Sequence, residues 1–225
     1  MPQERTFFQV LETLKLKVRG LLETSNLIVT DTSVFKELSL SDTVWDDIRV
    51  PALSTKKGGS KEPGLVKFLD NGAGSQGILT YQFDDSAEEE LYFAVQIPHA
   101  WKQGTNLHPH VHWSPTVNGG VGEVVSWGLE YSFAEITNVF PDSVLMYGNE
   151  PIHSGDLVAK RHYLTELGII DMTAVDSVSP MILCRIFRDA TGSGKTDDYG
   201  NDVALLEIDF HFEIDDIGSR TEYTK

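Results

Sequence analysis

Beyond residue 63 the chain is written largely in a two-residue period. Apolar, β-branched and aromatic residues alternate with polar ones in LVKFL, GILTYQF, ELYFAVQI, HPHVHW, EVVSWGLEYSF, MILCRIF and VALLEIDFHFEI. Such alternation places one set of side chains on each face of a β-strand. Clusters of turn-forming residues separate the segments, as in DNGAGSQ, DDSAEEE, NGGVG and DATGSGKTDDYGN. One or two weaker strands are expected within residues 143–167. Seven or eight short strands each need a second sheet to cover their apolar stripes. The pattern therefore predicts a mainly β protein, a jelly-roll-like antiparallel β-sandwich.

The first residues follow another rhythm. In ERTFFQVLETLKLKVRGLLE, residues 4–23, Phe7, Leu11, Leu14, Val18 and Leu21 recur at spacings of four, three, four and three. That stripe predicts a helix packing on another helix. The stretch LKLKVR also alternates strictly, which keeps a strand open there. Residues 24–63 are mixed and end in the turn-rich STKKGGSKEPG. The expected organisation is an N-terminal arm or anchor over residues 1–43, then a sandwich domain over 44–225. Phe7, Leu11, Leu14, Val18 and Leu21 are the candidate oligomerisation residues.

Charge and composition narrow the partners. The formal net charge is −16. A surface that acidic repels phosphate backbones, so nucleic acid is not expected as a partner. Residues 1–23 carry +1, leaving −17 on the remainder. No apolar run has the length of a membrane span, and no signal-peptide pattern is visible, so neither a membrane nor secretion is expected. Cys184 is the single cysteine, which excludes an intrachain disulfide and a cysteine zinc site. Within MILCRIF it reads as a buried structural thiol. Trp101, Trp113 and Trp127 read as core.

Two glycine motifs fail their structural context. GAGSQG at 72–77 matches a dinucleotide fingerprint, but a strand follows where the phosphate-binding turn needs a helix. TGSGKT at 191–196 lacks the first glycine of a phosphate-binding loop, since neither Asp189 nor Ala190 supplies it. Both read as turns. The acidic run Asp84, Asp85 and Glu88 to Glu90 reads as a solvated loop.

The remaining chemistry lies in GTNLHPHVHWSP, where His108, His110 and His112 are each two residues apart. On a strand they share one face, with neighbours roughly 7 Å apart. Val111 and Trp113 form the apolar face, so the histidines should point away from the core, to solvent or to another subunit. His211 shares a face with Asp209 and Glu213 and reads as part of a solvated strand surface. His108, His110 and His112 are the candidate ligands for a transition metal, held within one chain or shared between chains. In the alternative, metal-free reading the histidines hydrogen-bond neighbours or line an interface, and no other cofactor is expected.

Three resemblances attach to these residues. Gly104, His110 and His112 resemble the G-x5-H-x-H motif of the cupins, which are metal-holding jelly rolls. The glutamate of that motif is missing, since Thr116 and Val117 occupy its positions, and His211 is the single conceivable late ligand. The H-x-H repeat is similar to the metal sites of trimeric phage tail fibres and spikes. The combination of QIPHAWKQGTNLHPHVHW, WGLEYSFA and EIDFHFEIDDIGSR resembles a group of phage virion-associated β-rich proteins, over Trp45 to about Arg220. That last resemblance implies a non-enzymatic capsid-decorating (cement) or tail-associated subunit, assembled in the bacterial host cytoplasm. It would act as a homo-oligomer, expected to be a trimer, with capsid or tail proteins as its partners. The alternatives are a cupin-like metal-dependent enzyme using His108, His110 and His112, and a carbohydrate-binding β-sandwich.

If the heptad stripe ties subunits together, deleting residues 1–23 should lower the oligomeric state or abolish particle attachment. Size-exclusion chromatography with light scattering and a particle-binding assay check this. Unchanged behaviour in both would remove the arm from assembly.

Overall fold

In the computed structural model of the chain, residues 43–151 and 155–225 are described. The heptad positions Phe7, Leu11, Leu14, Val18 and Leu21 lie outside them. Eleven strands follow in chain order: β1 (Val44–Pro51), β2 (Lys56–Lys57), β3 (Gly64–Leu69), β4 (Ile78–Phe83), β5 (Glu90–Gln96) and β6 (Leu107–Pro115); then β7 (Trp127–Ala134), β8 (Val144–Gly148), β9 (Tyr163–Glu166), β10 (Met181–Arg188) and β11 (Val203–Ile214).

The strands form two antiparallel sheets. The first runs β3-β4-β11-β6-β9, with β1 also paired to β11, and the second runs β2-β5-β10-β7-β8. Counted from β4, the eight strands of the roll pair as first-eighth-third-sixth and second-seventh-fourth-fifth. That order is the jelly roll, two Greek keys wrapped into a sandwich. The expected fold class is therefore observed, with β1, β2 and β3 added to the eight-stranded core.

The alternation determines what lies between the sheets. Val111 and Trp113 of β6, Trp127 and Leu129 of β7, Ile182 and Ile186 of β10, and Ile208, Phe210 and Phe212 of β11 form the apolar interior with Phe83 and Trp101. The three expected core tryptophans are all buried. Cys184 is buried too, and burial pushes its thiol far above the ordinary cysteine range.

At the edges the sheets come close. A Cβ added to Gly148 of β8 would collide with the backbone carbonyl of Glu166 in β9, so only glycine fits this approach.

Arg188, the last residue of β10, is the one buried arginine among the described residues, and the loop between β10 and β11 surrounds its side chain. Arg188 is fully buried. Its guanidinium donates to both carboxylate oxygens of Asp197 at 2.8 and 2.9 Å, and to the carbonyl of Asn201 at 2.8 Å. A planar, bidentate fork of this kind satisfies a charge that burial would otherwise make prohibitive. Asp189, also buried, accepts the backbone N–H groups of Ser193, Gly194 and Lys195. The amides of the GSGKT turn thus converge on the protein's own carboxylate. They offer no cradle to a phosphate, in agreement with the reading of this motif as a turn.

The acidic run at 84–90 departs from the solvated loop expected of it. Asp84 accepts the amides of Ser86 and Ala87, while Glu88 and Glu90 pair with Arg185.

Replacing Arg188 with Ala leaves Asp197 buried and uncompensated. The expected loss is about 3–5 kcal/mol of unfolding free energy, the usual result of removing one partner from a buried ion pair. Urea denaturation checks it, and a loss under about 1 kcal/mol would show that the pair is not a structural anchor.

Candidate functional site: the histidine–carboxylate face of the first sheet

Strand β11 is central in the first sheet, and β6 runs antiparallel beside it. The register sets Asp209 opposite His110, His211 opposite His108 and Glu207 opposite His112. On the other edge of β11, β1 sets Asp47 opposite His211 and Arg49 opposite Asp209. On the far edge of β6, β9 sets Glu166 opposite His110. Because the even-numbered residues of β6 and the odd-numbered residues of this part of β11 face away from the core, all these groups share one outer face.

That face is not the solvated surface expected from sequence. His110 and Asp209 are 4% and 3% exposed. The His211 ring stands edge-on to His110, with centroids 4.1 Å apart at 84°, and helps to cover it. A side chain in the middle of a sheet is flanked by neighbours on both adjoining strands. Large neighbours there can bury it even on the face that points away from the core. His211 itself is half-buried rather than solvated.

Asp209 is the hub. His112 Nε2 donates to Asp209 Oδ2 at 3.1 Å. His112 Nδ1 lies 2.7 Å from His162 Nε2. With His112 Nε2–H donating to Asp209, a neutral His112 accepts at Nδ1, so His162 Nε2–H is the donor there. Burial, aided by nearby His112, lowers the His162 pKa and favours its neutral form. His110 Nδ1 lies 3.4 Å from Asp209 Oδ1, and His211 Nε2 lies 3.4 Å from Asp209 Oδ2 and 2.9 Å from Asp47 Oδ1. Burial alone would raise the Asp209 pKa; its histidine partners reverse that and hold the carboxyl well below the usual carboxylate range.

Two atoms in this network stay unmatched. His110 Nδ1 and Asp209 Oδ1 are buried with no hydrogen-bond partner. Next to the cluster, Asp47, Arg49, His112, His162, Leu206, Glu207 and Asp209 line an open cleft of about 400 Å³. Arg49 and Glu207 form a two-pronged ion pair there.

The three histidines singled out by sequence therefore part company. His110 and His112 both reach Asp209. His108 instead meets the edge of Trp45, with ring centroids 5.4 Å apart. The structure gathers His110, Asp209 and His211 into a group whose ligand atoms all lie within 4.8 Å of one another; Asp84, Asp85 and Asp202 form a second, all-carboxylate group. Asp209, Asp47, Glu166 and His162 were missed. The available signal was the D-x-H of β11 beside the H-x-H of β6, but cross-strand register is needed to bring the two together. The cupin resemblance fails on geometry: His110 and His112 point outward, whereas a cupin's ligands line the interior of its barrel.

No family model matches the chain, and no curated protein matches it. Among solved structures, one chain in a structure of infectious bursal disease virus, Gx strain, is similar at a TM-score of 0.32 and 11% identity. The likeness covers 88% of this chain and 36% of that one, so this chain spans about a third of the virus chain's length.

Asp209 gives a pH signature with a definite sign. Its folded pKa is depressed, so its stabilisation is fully present above the unfolded value of about 4 and fades as pH falls below that. Asp209→Asn should therefore be less stable than the parent from neutral pH down to about pH 4, with the gap closing at lower pH. Denaturation midpoints measured from pH 7 to 2 check this, and a constant gap would show that Asp209 is not held ionised by its neighbours.

Proposed function

We propose that this protein is a non-enzymatic structural subunit of a phage particle, capsid-decorating or tail-associated, that works as a homo-oligomer by burying surface against its neighbours. One observation carries the reading. The β3–β4 hairpin at the edge of the first sheet exposes Leu65, Val66, Leu69, Ile78 and Leu79, between 37% and 64% of each. Consecutive strand residues face opposite sides, so the hairpin is apolar on both. β3 also ends its sheet among the described residues.

An apolar edge strand is a template for pairing with another chain. A subunit that is always assembled turns that liability into a contact. Three further features support the reading. A continuous cluster of large buried side chains runs through the interior of the roll. The jelly roll serves in viral shells as well as in lectins and cupins, so the fold permits the role without establishing it. The stretch from Gln96 to Trp113 carries the sharpest resemblance to phage virion proteins.

Native mass spectrometry of the full chain tests the proposal. A trimer is expected, and Val66→Asp together with Leu79→Asp should dissociate it while leaving the sandwich folded by circular dichroism. A wild-type chain that stays monomeric at tens of micromolar, or a trimer indifferent to both substitutions, would count against this use of the hairpin.

A further inference from the structure

We propose that His110, Asp209 and His211 form a binding site for one divalent transition-metal ion of the zinc class, on the outer face of the first sheet. The site goes beyond the structural role proposed above and does not depend on it.

Geometry supplies the first argument. The ligand atoms of the three residues lie within 4.8 Å of one another. Two of the separations, His110 Nδ1 to Asp209 Oδ1 and His211 Nε2 to Asp209 Oδ2, are both 3.4 Å. Donors bound to a tetrahedral zinc at about 2.0–2.1 Å sit roughly 3.3–3.4 Å apart. Each separation, one to each oxygen of Asp209, matches two donors on a shared ion, and both are long for hydrogen bonds directly between the groups.

The second argument is independent of spacing. The side chains of His110 and Asp209 are each 5% exposed. His110 Nδ1 and Asp209 Oδ1 nevertheless have no hydrogen-bond partner. Buried polar atoms are nearly always satisfied, and each exception calls for an explanation. An ion bound by both atoms would satisfy both at once.

The third argument is chemical. Two imidazoles and a carboxylate are a donor set suited to zinc and its neighbours in the first transition row. The supporting layer is in place as well. His112 donates to Asp209 Oδ2 and is itself held by His162, fixing the carboxylate from behind. The two ligand-bearing strands are paired in register at Asp209 and His110, so the backbone already sets the site. Asp47 lies 2.9 Å from His211 Nε2 and closes the side toward β1, where a fourth ligand or water would sit. His108 is not a member, since its ring is engaged with Trp45.

The test uses the full chain, stripped with chelator, desalted and titrated with Co²⁺ and Zn²⁺. We expect one ion per chain by elemental analysis and visible absorption typical of four-coordinate Co²⁺. Binding should be lost in His211→Ala and Asp209→Asn, retained in His108→Ala, and weakened about 10–100-fold in His112→Ala, which removes the support behind the carboxylate. Circular dichroism of the metal-free variants controls for folding; half-buried His211 is the substitution the sheet should tolerate best. The site is overturned if folded wild-type protein binds no ion. It is equally overturned if binding survives His211→Ala, or if one ion per three chains disappears with His108→Ala. A trimer that binds no metal would sink this site and leave the structural role standing.

Discussion

Strand β11 has to satisfy two demands with one backbone. It hydrogen-bonds β6 along one edge and, along the other, β4 through its first residues and then β1. It is therefore interior to the sheet for its whole length, and alternate side chains must close the core. Val203, Leu205, Ile208, Phe210 and Phe212 do this, with a register shift between Leu205 and Glu207 that keeps the apolar set inward. The residues between them cannot be ordinary surface residues, because large neighbours on both sides exclude water. A carboxylate at position 209 is thus buried by position alone. Burying it would be costly without compensation, and the histidines of β6 and β11 provide that compensation. The chemistry of the outer face follows from the centrality of one strand.

Most of the fold was legible because alternation is a local property. The stretch VALLEIDFHFEI coincides with β11, and β3, β4, β5, β6 and β10 lie close to the segments read from sequence. Of the one or two weaker strands expected within 143–167, two are present, β8 and β9. Where the reading slipped, the cause is visible. β1, VWDDIRVP, sets Asp46 in line with Val44, Ile48 and Val50, and most of its residues are exposed, so no clean apolar stripe marks it. β2 has two residues, too few for any period. The expected strand at EVVSWGLEYSF begins late, at Trp127. Val124 and Ser126 give their backbone groups to the 197–199 loop instead, through Asp198, Tyr199 and Asp197. A loop that returns from seventy residues away leaves no trace in local pattern.

The site was half legible for a related reason. The H-x-H repeat showed which face the histidines share, and that part held. Its solvation did not, because exposure on an outer face depends on what the adjoining strands carry. Asp209 lies between Glu207 and His211 in alternation, among residues that look like any solvated strand surface. Only the pairing of β11 with β6 places its carboxylate against His110 and His112. The loop after β10 shows the same limit. TGSGKT presents a run of amides that invites a phosphate reading, and the true occupant is Asp189, just before the turn.

The outer faces of the two sheets make a useful contrast. On the second sheet, Arg185 of β10 donates to Glu130 at 2.8 Å and to Glu90 and Glu88 at 2.6 and 3.2 Å. That cluster resolves itself: a permanently charged fork meets three carboxylates, and it remains partly open to water. Around Asp209 on the first sheet the imidazole partners are titratable, the buried carboxylate is shared among three of them, and one atom each of His110 and Asp209 is left unmatched. Two clusters in comparable positions on one sandwich thus differ in completeness. Structural need alone explains the arginine cluster, since Arg185 Nε and Nη1 both donate to carboxylates and no buried side-chain atom of the cluster is left without a partner. It does not explain the histidine cluster, which is assembled at the centre of a sheet from four elements yet leaves His110 Nδ1 and Asp209 Oδ1 without partners. That incompleteness, more than the number of histidines, singles out this face.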